Sequence, residues 1–238
     1  MQVAKRLLPP IGMLAALLGA CTPAPGSQDA PGGFPTPDRP VSELSSNQFS
    51  TETQRDTRGE AQTVMDLAEI EPGMTVADLG AGNGYYTVRL AERVGAGGRV
   101  LAQDIDAAAL RRLGRRVERQ RLDNVSIRLG EPADPRLPQG SFDRIFLVHM
   151  YHEIGDPYEF LWRMWPALQD GGQVIVVDTD RPTDRHGISP KLLFCEFEEV
   201  GFKLVEFVER PDLRSYFARF ERGAARSDPA EIDACSNI

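Results

Sequence analysis

The sequence has little cysteine and no long apolar run. Only three of its 238 residues are cysteine, too few for a scaffold held together by disulfides. No stretch of about 20 apolar residues occurs, which excludes an ordinary membrane-spanning helix. Basic residues are also in deficit, with 27 Lys and Arg against 35 Asp and Glu, and the net charge is −8. This balance argues against binding nucleic acid through a general basic field.

The residues that are present favour a globular domain. Hydrophobic residues make up 41% of the chain and charged residues 26%, which is the balance of a folded protein. The length suits one substantial α/β domain with additional terminal segments. Composition predicts a signal at residues 1–20, a Pro/Gly/Ser-rich tether at 21–50, a domain at 51–221 and a weakly ordered tail at 222–238.

The first residues have the pattern of a secretory signal. Lys5 and Arg6 precede a short apolar stretch that prolines interrupt and that ends in Leu-Gly-Ala-Cys at Cys21. This ending resembles the lipobox of bacterial lipoproteins, in which the cysteine is lipidated and becomes amino-terminal. The resemblance implies a lipid anchor at Cys21 on the periplasmic side of a bacterial envelope membrane. Translation from Met13 instead would remove both basic residues and leave a cytoplasmic protein.

From residue 51, short apolar runs alternate with helical patterns. The runs predict strands at 74–79, 99–103, 125–129, 142–148 and 173–177. The helical patterns cover 51–67, 85–94, 107–121, 157–168 and 190–200. Residues 202–208 and 213–220 alternate like an antiparallel hairpin. The prediction is an α/β fold with a doubly wound, mainly parallel seven-stranded sheet and an antiparallel C-terminal hairpin.

The last predicted helix mixes apolar and acidic residues. Cys195 lies among leucines and phenylalanines, which favours a buried, inert thiol, and the sequence leaves open whether it pairs with Cys235. The interleaved Glu196, Glu198 and Glu199 predict a solvated face.

A glycine-rich segment follows the first predicted strand. Gly80, Gly82 and Gly84 come two residues apart after Asp78. Glycines at such a turn let a ligand approach the backbone closely, and the next helix points its N–H groups at the ligand. The dinucleotide fingerprint requires its third glycine where this chain has Tyr85. The spacing therefore argues against a nicotinamide enzyme, which stays as an alternative.

The segment D-x-G-x-G-x-G resembles motif I of the class I S-adenosylmethionine-dependent methyltransferases, and the likeness spans about residues 55 to 220. The resemblance implies S-adenosylmethionine as cofactor, with the glycine loop at its methionine end. It implies that Asp104 accepts the two ribose hydroxyls, that Ile105 packs on the adenine and that Glu131 faces the adenine amino group. Glu131 departs from the Asp that is frequent in this family. The implied cofactor-binding residues are Asp78, Gly80, Gly82, Gly84, Asp104, Ile105 and Glu131.

Three candidate catalytic residues follow the fourth predicted strand. A doubly wound sheet places its ligand crevice at the carboxyl ends of the first and fourth strands. His152 suits a general base, because its ordinary pKa lies near neutrality. Tyr151 would line the pocket, and Glu153 would orient His152 or bind a cationic acceptor. In the alternative interpretation these residues, and the nearby His149, only hydrogen-bond loops at the strand end.

No metal site is predicted. Neither a cysteine nor a third histidine stands close in sequence to His152 and Glu153. Asp178 and Asp180 end the fifth strand and His186 follows. These residues could converge with His152 in space, but a solvated loop is the favoured interpretation.

The sequence as a whole predicts an S-adenosylmethionine-dependent methyltransferase with a non-nucleic-acid acceptor. It identifies neither that acceptor nor the oligomeric state of the protein. Two alternatives remain at this point. One is an NAD-dependent oxidoreductase. The other is a non-catalytic S-adenosylmethionine-binding lipoprotein, suggested because this cofactor is made in the cytoplasm.

Overall fold

The fold is seen in a computed structural model that describes residues 1, 33–42 and 51–236. The signal, Cys21, Met13 and most of the predicted tether lie outside the described residues. No helix within the described ranges has both the length and the apolar character needed to cross a membrane.

Seven strands form one sheet. They are β1 (Thr75–Leu79), β2 (Arg99–Asp104), β3 (Val125–Leu129), β4 (Phe142–Val148), β5 (Leu168–Asp178), β6 (Phe202–Arg210) and β7 (Ser215–Arg222). The helices are α1 (Glu52–Thr57), α2 (Glu60–Leu67), α3 (Tyr85–Val94), α4 (Ala107–Gln120), α5 (Pro157–Met164) and α6 (Pro190–Val200). Short 3₁₀ turns at Tyr151–Glu153 and Thr183–Arg185 follow β4 and β5.

The strand order is β3-β2-β1-β4-β5-β7-β6. Strands β1 to β5 pair in parallel, and β7 pairs antiparallel with both β5 and β6. The chain leaves β1 toward β2 and later returns to β4 on the other side, so strand order reverses between β1 and β4. A crevice opens at the carboxyl ends of the strands at such a point. The predicted fold class is confirmed.

Several predicted element boundaries differ from the structure, and strand β5 begins at Leu168 rather than at 173. The single helix expected at 51–67 is two helices, because Gly59 adopts a left-handed conformation with φ of 66°. Helix α5 ends at Met164 rather than at 168, since Pro166 lies in a 3₁₀ turn and Leu168 already pairs with Phe142 in the sheet.

The C-terminal segment is packed rather than weakly ordered up to residue 236. Cys235 forms a disulfide with Cys195 of α6 and is buried, as is Ile232. The backbone N–H of Cys235 donates a hydrogen bond of 2.7 Å to Tyr158 Oη on α5. The cysteines therefore pair, and the expectation of an inert thiol at Cys195 is wrong.

Residues 33–42 also pack on the domain, although the sequence predicts a tether there. Phe34 is buried against Trp162, with ring centroids 5.7 Å apart, and Asp38 forms a β-bridge with Ser236. Arg39 forms an ion pair with Glu196, whose side chain is fully buried. The expectation that Glu196 belongs to a solvated face is therefore wrong: its partner comes from a segment far away in sequence.

Candidate functional site

A cavity of about 830 Å³ lies at the carboxyl ends of β1, β2, β4 and β5. One side is formed by the glycine loop and the end of β2, with Gly80, Gly82 and Asp104. The other side is formed by the residues after β4 and β5, including His149 and His152. The volume is within the range of small-molecule and cofactor sites.

The three loop glycines have different reasons to be glycine. All adopt positive φ angles, of 65° at Gly80, 55° at Gly82 and 85° at Gly84. A Cβ on Gly80 would lie 2.9 Å from Met150 Cγ, and one on Gly84 would collide with Leu113. At Gly82 the nearest atom to such a Cβ is a backbone oxygen at 4.0 Å. Gly82 therefore borders open cavity where a ligand can approach the backbone, whereas Gly84 packs on α4 and does not line the cavity.

Asp78 lies beneath the loop rather than on the cavity wall. Its carboxylate is buried and accepts a hydrogen bond of 2.6 Å from Thr87 Oγ1 at the start of α3. Burial raises the pKa of Asp78 to about 6, despite the opposing hydrogen bond from Thr87 and the charge of Arg55. In this arrangement Asp78 braces the turn between β1 and α3.

Asp104 lies at the end of β2 and faces the cavity. One oxygen accepts a 2.7 Å hydrogen bond from the Gly82 N–H, and the other accepts a 2.8 Å bond from the Asp106 N–H. A carboxylate has about four acceptor positions, so both oxygens keep capacity for ligand hydroxyls. Ile105 follows as an exposed apolar residue on the same wall. These two predicted residues and the glycine loop are brought together.

Glu131 is not brought to the cavity. Its side chain points to solvent and pairs with Arg136, and its backbone forms a bridge with Asp134. Pro132 lines the cavity instead. The sequence register after β3 is right, but the hydrogen-bonded turn directs the carboxylate away.

Glu60 is a buried acid on the cavity wall that the sequence analysis does not single out. It accepts hydrogen bonds from Arg55 at 2.6 Å and Tyr86 Oη at 3.2 Å, and its Oε1 lies 3.5 Å from His149 Nε2. Burial alone would raise its pKa, but His149 and Arg55 lower the pKa to about 2. Its partners come from α1, α3 and the end of β4, so no local pattern marks it.

His152 forms a buried pair with Asp178. The His152 Nδ1 atom lies 2.9 Å from Asp178 Oδ2 and 3.0 Å from Oδ1. Since a carboxylate accepts, Nδ1 carries the proton and Nε2 keeps its lone pair. Burial alone would lower the His152 pKa, but the hydrogen bond and charge of Asp178 raise it above the ordinary value. At the end of β5 and in the turn that follows it, Asp178 and His186 both approach His152, and the ring centroids of His152 and His186 lie 5.7 Å apart.

Tyr151 points away from the cavity. It is fully buried, and its hydroxyl donates a 2.7 Å hydrogen bond to Glu196 Oε2 on α6. The expectation that Tyr151 lines the pocket is not met, because consecutive residues of a 3₁₀ turn project in different directions. Glu153 does line the cavity.

His152, Glu153 and His186 place three possible ligand atoms within 4.8 Å of one another. The Glu153 carboxylate lies 4.0 Å from His152 Nε2 and 3.9 Å from His186 Nδ1. Ligands of a tetrahedral Zn²⁺ are separated by roughly 3.4 Å, given bonds of about 2.1 Å. The present spacing is wider, so we assign no metal to this group.

Residues 70–202 match the sequence model of a family described as a methyltransferase domain. The chain belongs to this family. Family membership decides against the nicotinamide alternative and implies S-adenosylmethionine as cofactor. The residues fit it: Gly82 leaves open space for close approach, and Asp104 and Ile105 offer an acceptor and an apolar surface beside it.

Curated relatives share only part of the chain. It is 41% identical over 83 residues to nocamycin O-methyltransferase of Saccharothrix syringae, covering 35% of this chain and 30% of that protein. It is 27% identical over 118 residues to demethylmenaquinone methyltransferase of Listeria welshimeri, covering 50% of each. The chain thus spans between about a third and half the length of these relatives.

Solved structures show the same fold. A SAM-dependent methyltransferase from Aquifex aeolicus aligns with a TM-score of 0.63 and 21% identity, over 72% of this chain and 97% of that one. A possible exported protein from Bordetella parapertussis aligns with a TM-score of 0.58 and 14% identity, over 72% of this chain and 68% of that one.

Proposed function

We propose that this methyltransferase transfers a methyl group to an oxygen atom of a small, non-nucleic-acid acceptor, with His152 as general base. The observation that carries the proposal is that His152 lines the cavity and is hydrogen-bonded to the buried Asp178 at the end of β5. A base is needed when the acceptor atom must lose a proton, as a hydroxyl does. One relative, nocamycin O-methyltransferase, is named for transfer to oxygen.

When bound, S-adenosylmethionine supplies a methyl group on a sulfonium centre. The chain's own residues orient the acceptor and handle its proton. His152 Nε2 would accept the proton that the acceptor hydroxyl loses when its oxygen takes the methyl group, and S-adenosylhomocysteine would be the leaving product. Asp178 holds the ring in the required tautomer and stabilises the resulting imidazolium. Positioning of the two reactants supplies much of the remaining acceleration.

The acceptor side favours an anionic molecule with an apolar body. Arg58, Arg181 and Arg214 line the cavity, and none of them forms an ion pair within the described part of the chain. Phe160 and Leu213 add apolar surface. Unpaired guanidinium groups around a cavity of an otherwise acidic protein suit a carboxylate or phosphate on the acceptor.

A paired acceptor set tests this function. The full chain is incubated with methyl-labelled S-adenosylmethionine and either 4-hydroxybenzoate or its uncharged methyl ester. We expect labelled methyl ether from the acid, less from the ester, and a smaller preference in an Arg181→Ala, Arg214→Ala variant. The control replaces Arg111 and Arg115, which lie on α4 and do not line the cavity. Transfer to nitrogen or carbon acceptors but not to hydroxyls would contradict the proposal.

We further propose that the protein is exported and lipidated at Cys21. The lipobox-like sequence suggests this location, and the Cys195–Cys235 disulfide supports it, because such bonds persist in oxidising compartments. Mass spectrometry of the purified amino terminus tests the proposal. A lipidated Cys21 is the expected result, and an unmodified start at Met1 or Met13 would contradict it.

A further inference from the structure

We propose that residues 33–42, here named the strap, support the active site from outside the cavity and that Arg39 is a positioning residue for His152. The inference rests on the proposed role of His152 as base, but its evidence is the packing of the strap. Sequence composition assigns these residues to a tether between an anchor and a domain. Their contacts place them against the two turns that carry His152 and His186.

Arg39 is the central contact of the strap. The residue is 7% exposed, and its Nε donates a 2.7 Å hydrogen bond to Glu196 Oε1 on α6. Its Nη2 donates to the Ile154 carbonyl at 3.2 Å, and its Nη1 lies 3.4 Å from the His152 carbonyl. One guanidinium group therefore joins α6 to the backbone of the turn that bears the base.

Glu196 completes this arrangement. Its second oxygen accepts the 2.7 Å hydrogen bond from Tyr151 Oη, and the Arg39 guanidinium carbon lies 5.8 Å from the Tyr151 ring centre. The turn Tyr151–Glu153 is a single 3₁₀ turn with little support of its own. It is held through the side chain of its first residue, the carbonyl of its second residue and the carbonyl of Ile154, which directly follows the turn. The planar fork of arginine suits this task, and a lysine could reach fewer of the partners.

The far end of the strap contacts the second turn. Ser42 Oγ accepts a 3.1 Å hydrogen bond from the His186 N–H and donates to the Thr183 carbonyl. The strap is itself held by the Asp38–Ser236 bridge, next to the Cys195–Cys235 disulfide. Its position is therefore fixed from both the domain and the C-terminal segment.

Nuclear magnetic resonance of the histidine rings tests the proposal without an acceptor. The chain has three histidines, so ring signals of the full chain can be assigned with His149→Gln and His186→Gln variants. The groups around the His152 ring are Asp178, Glu153, His186 and Arg39. The measurement is the His152 tautomer and titration midpoint in wild type, Arg39→Met and Arg39→Lys. The control is Arg219→Met, which removes a well-packed ion-paired arginine on β7, outside the cavity lining.

Charge and positioning predict opposite results for Arg39→Met. Removing a nearby positive charge alone would raise the His152 pKa, since Arg39 lowers it. Loss of the Asp178 hydrogen bond would lower the pKa, and we expect a fall in the titration midpoint with loss of the single Nδ1–H tautomer. Arg39→Lys keeps the charge and should give an intermediate fall, and Arg219→Met should change nothing at His152. A rise, or an unchanged midpoint and tautomer, in Arg39→Met would overturn the proposal. If that variant does not fold, an unchanged His152 in Arg39→Lys would do so.

These outcomes are separable from failure of the proposed function. If Arg39 positions His152 in a protein that methylates no hydroxyl, the proposed role of the strap is supported and the proposed role of His152 as general base is rejected.

Discussion

At the scale of single residues, the proposed chemistry depends on the protonation of His152. The base form is the neutral ring. Because Asp178 raises the His152 pKa, the neutral fraction grows as pH rises through a midpoint above the ordinary value of about 6.5. We therefore expect kcat/KM for a hydroxyl acceptor to increase with pH and reach half its plateau above that value. A rate that is independent of pH between about 5 and 9 would contradict a titrating base.

Substitution of the pair separates chemistry from binding. His152→Ala should reduce kcat by about 10²- to 10⁴-fold, the usual contribution of a general base. Cofactor affinity should stay unchanged, because His152 lies on the wall opposite the glycine loop. Asp178→Asn should reduce kcat as well, whereas Asp180→Asn, at an exposed neighbour, serves as the matched control. Full activity of His152→Ala would leave positioning alone as the mechanism.

Among the site residues, those whose role depends on local backbone were predicted from sequence. One strand–loop–helix pattern contains the glycine loop, and the next contains Asp104 and Ile105. The structure brings the two loops together on one wall of the cavity. Tyr151 and Glu60 depend on contacts with distant segments, with Glu196 and His149 respectively, and no local spacing encodes those partners. Glu131 is directed away from the cavity by its own turn, in which it pairs with Arg136.

At the scale of elements, hydrophobic periodicity predicted α3, α6, β3 and β4 with their observed limits. In these segments glycine or proline near an apolar run marks where the element begins or ends. The strap was not predicted, because its proline- and glycine-rich composition shows no periodicity. Its key ion pair joins Arg39 to Glu196, 157 residues away.

The disulfide is expected to contribute to the stability of the fold. It joins α6 to the C-terminal segment across a separation of 40 residues. Removing a cross-link over such a loop enlarges the entropy of the unfolded chain, so Cys195→Ser should lower the free energy of unfolding by about 2–4 kcal/mol. Denaturant unfolding measures this. Cys235→Ser should lower the free energy of unfolding by the same amount as Cys195→Ser. A reductant should destabilise the wild-type protein but neither variant. Equal stability of wild type with and without reductant would argue against a formed bond.

At the scale of the whole molecule, the strap shortens the proposed connection to the membrane. If Cys21 is lipidated, residues 22–32 separate the anchor from the strap. A fully extended chain of this length spans at most about 40 Å. The domain would then lie close to the membrane surface, where acceptors with an apolar body and an anionic group concentrate. The net charge of −8 of the full sequence argues against a nucleic-acid acceptor.

Metal removal is a further test of the whole protein. His152, Glu153 and His186 are farther apart than the ligands of a tetrahedral Zn²⁺, and we assign no metal ion to them. We therefore expect dialysis against EDTA to leave both S-adenosylmethionine binding and methyl transfer unchanged. Loss of transfer that added Zn²⁺ or Mg²⁺ restores would show that this group binds a catalytic ion.

We assign S-adenosylmethionine binding to the cavity wall formed by the glycine loop and Asp104. Isothermal titration calorimetry of the full chain with S-adenosylmethionine and S-adenosylhomocysteine tests it most directly. We predict binding of both by wild type, weaker by about 1–3 kcal/mol in Asp104→Ala, since a charged acceptor to hydroxyls is lost. Asp123→Ala, at an exposed acid before β3, should bind like wild type. Absence of binding by wild type, or equal affinity in Asp104→Ala, would contradict the assignment of this site.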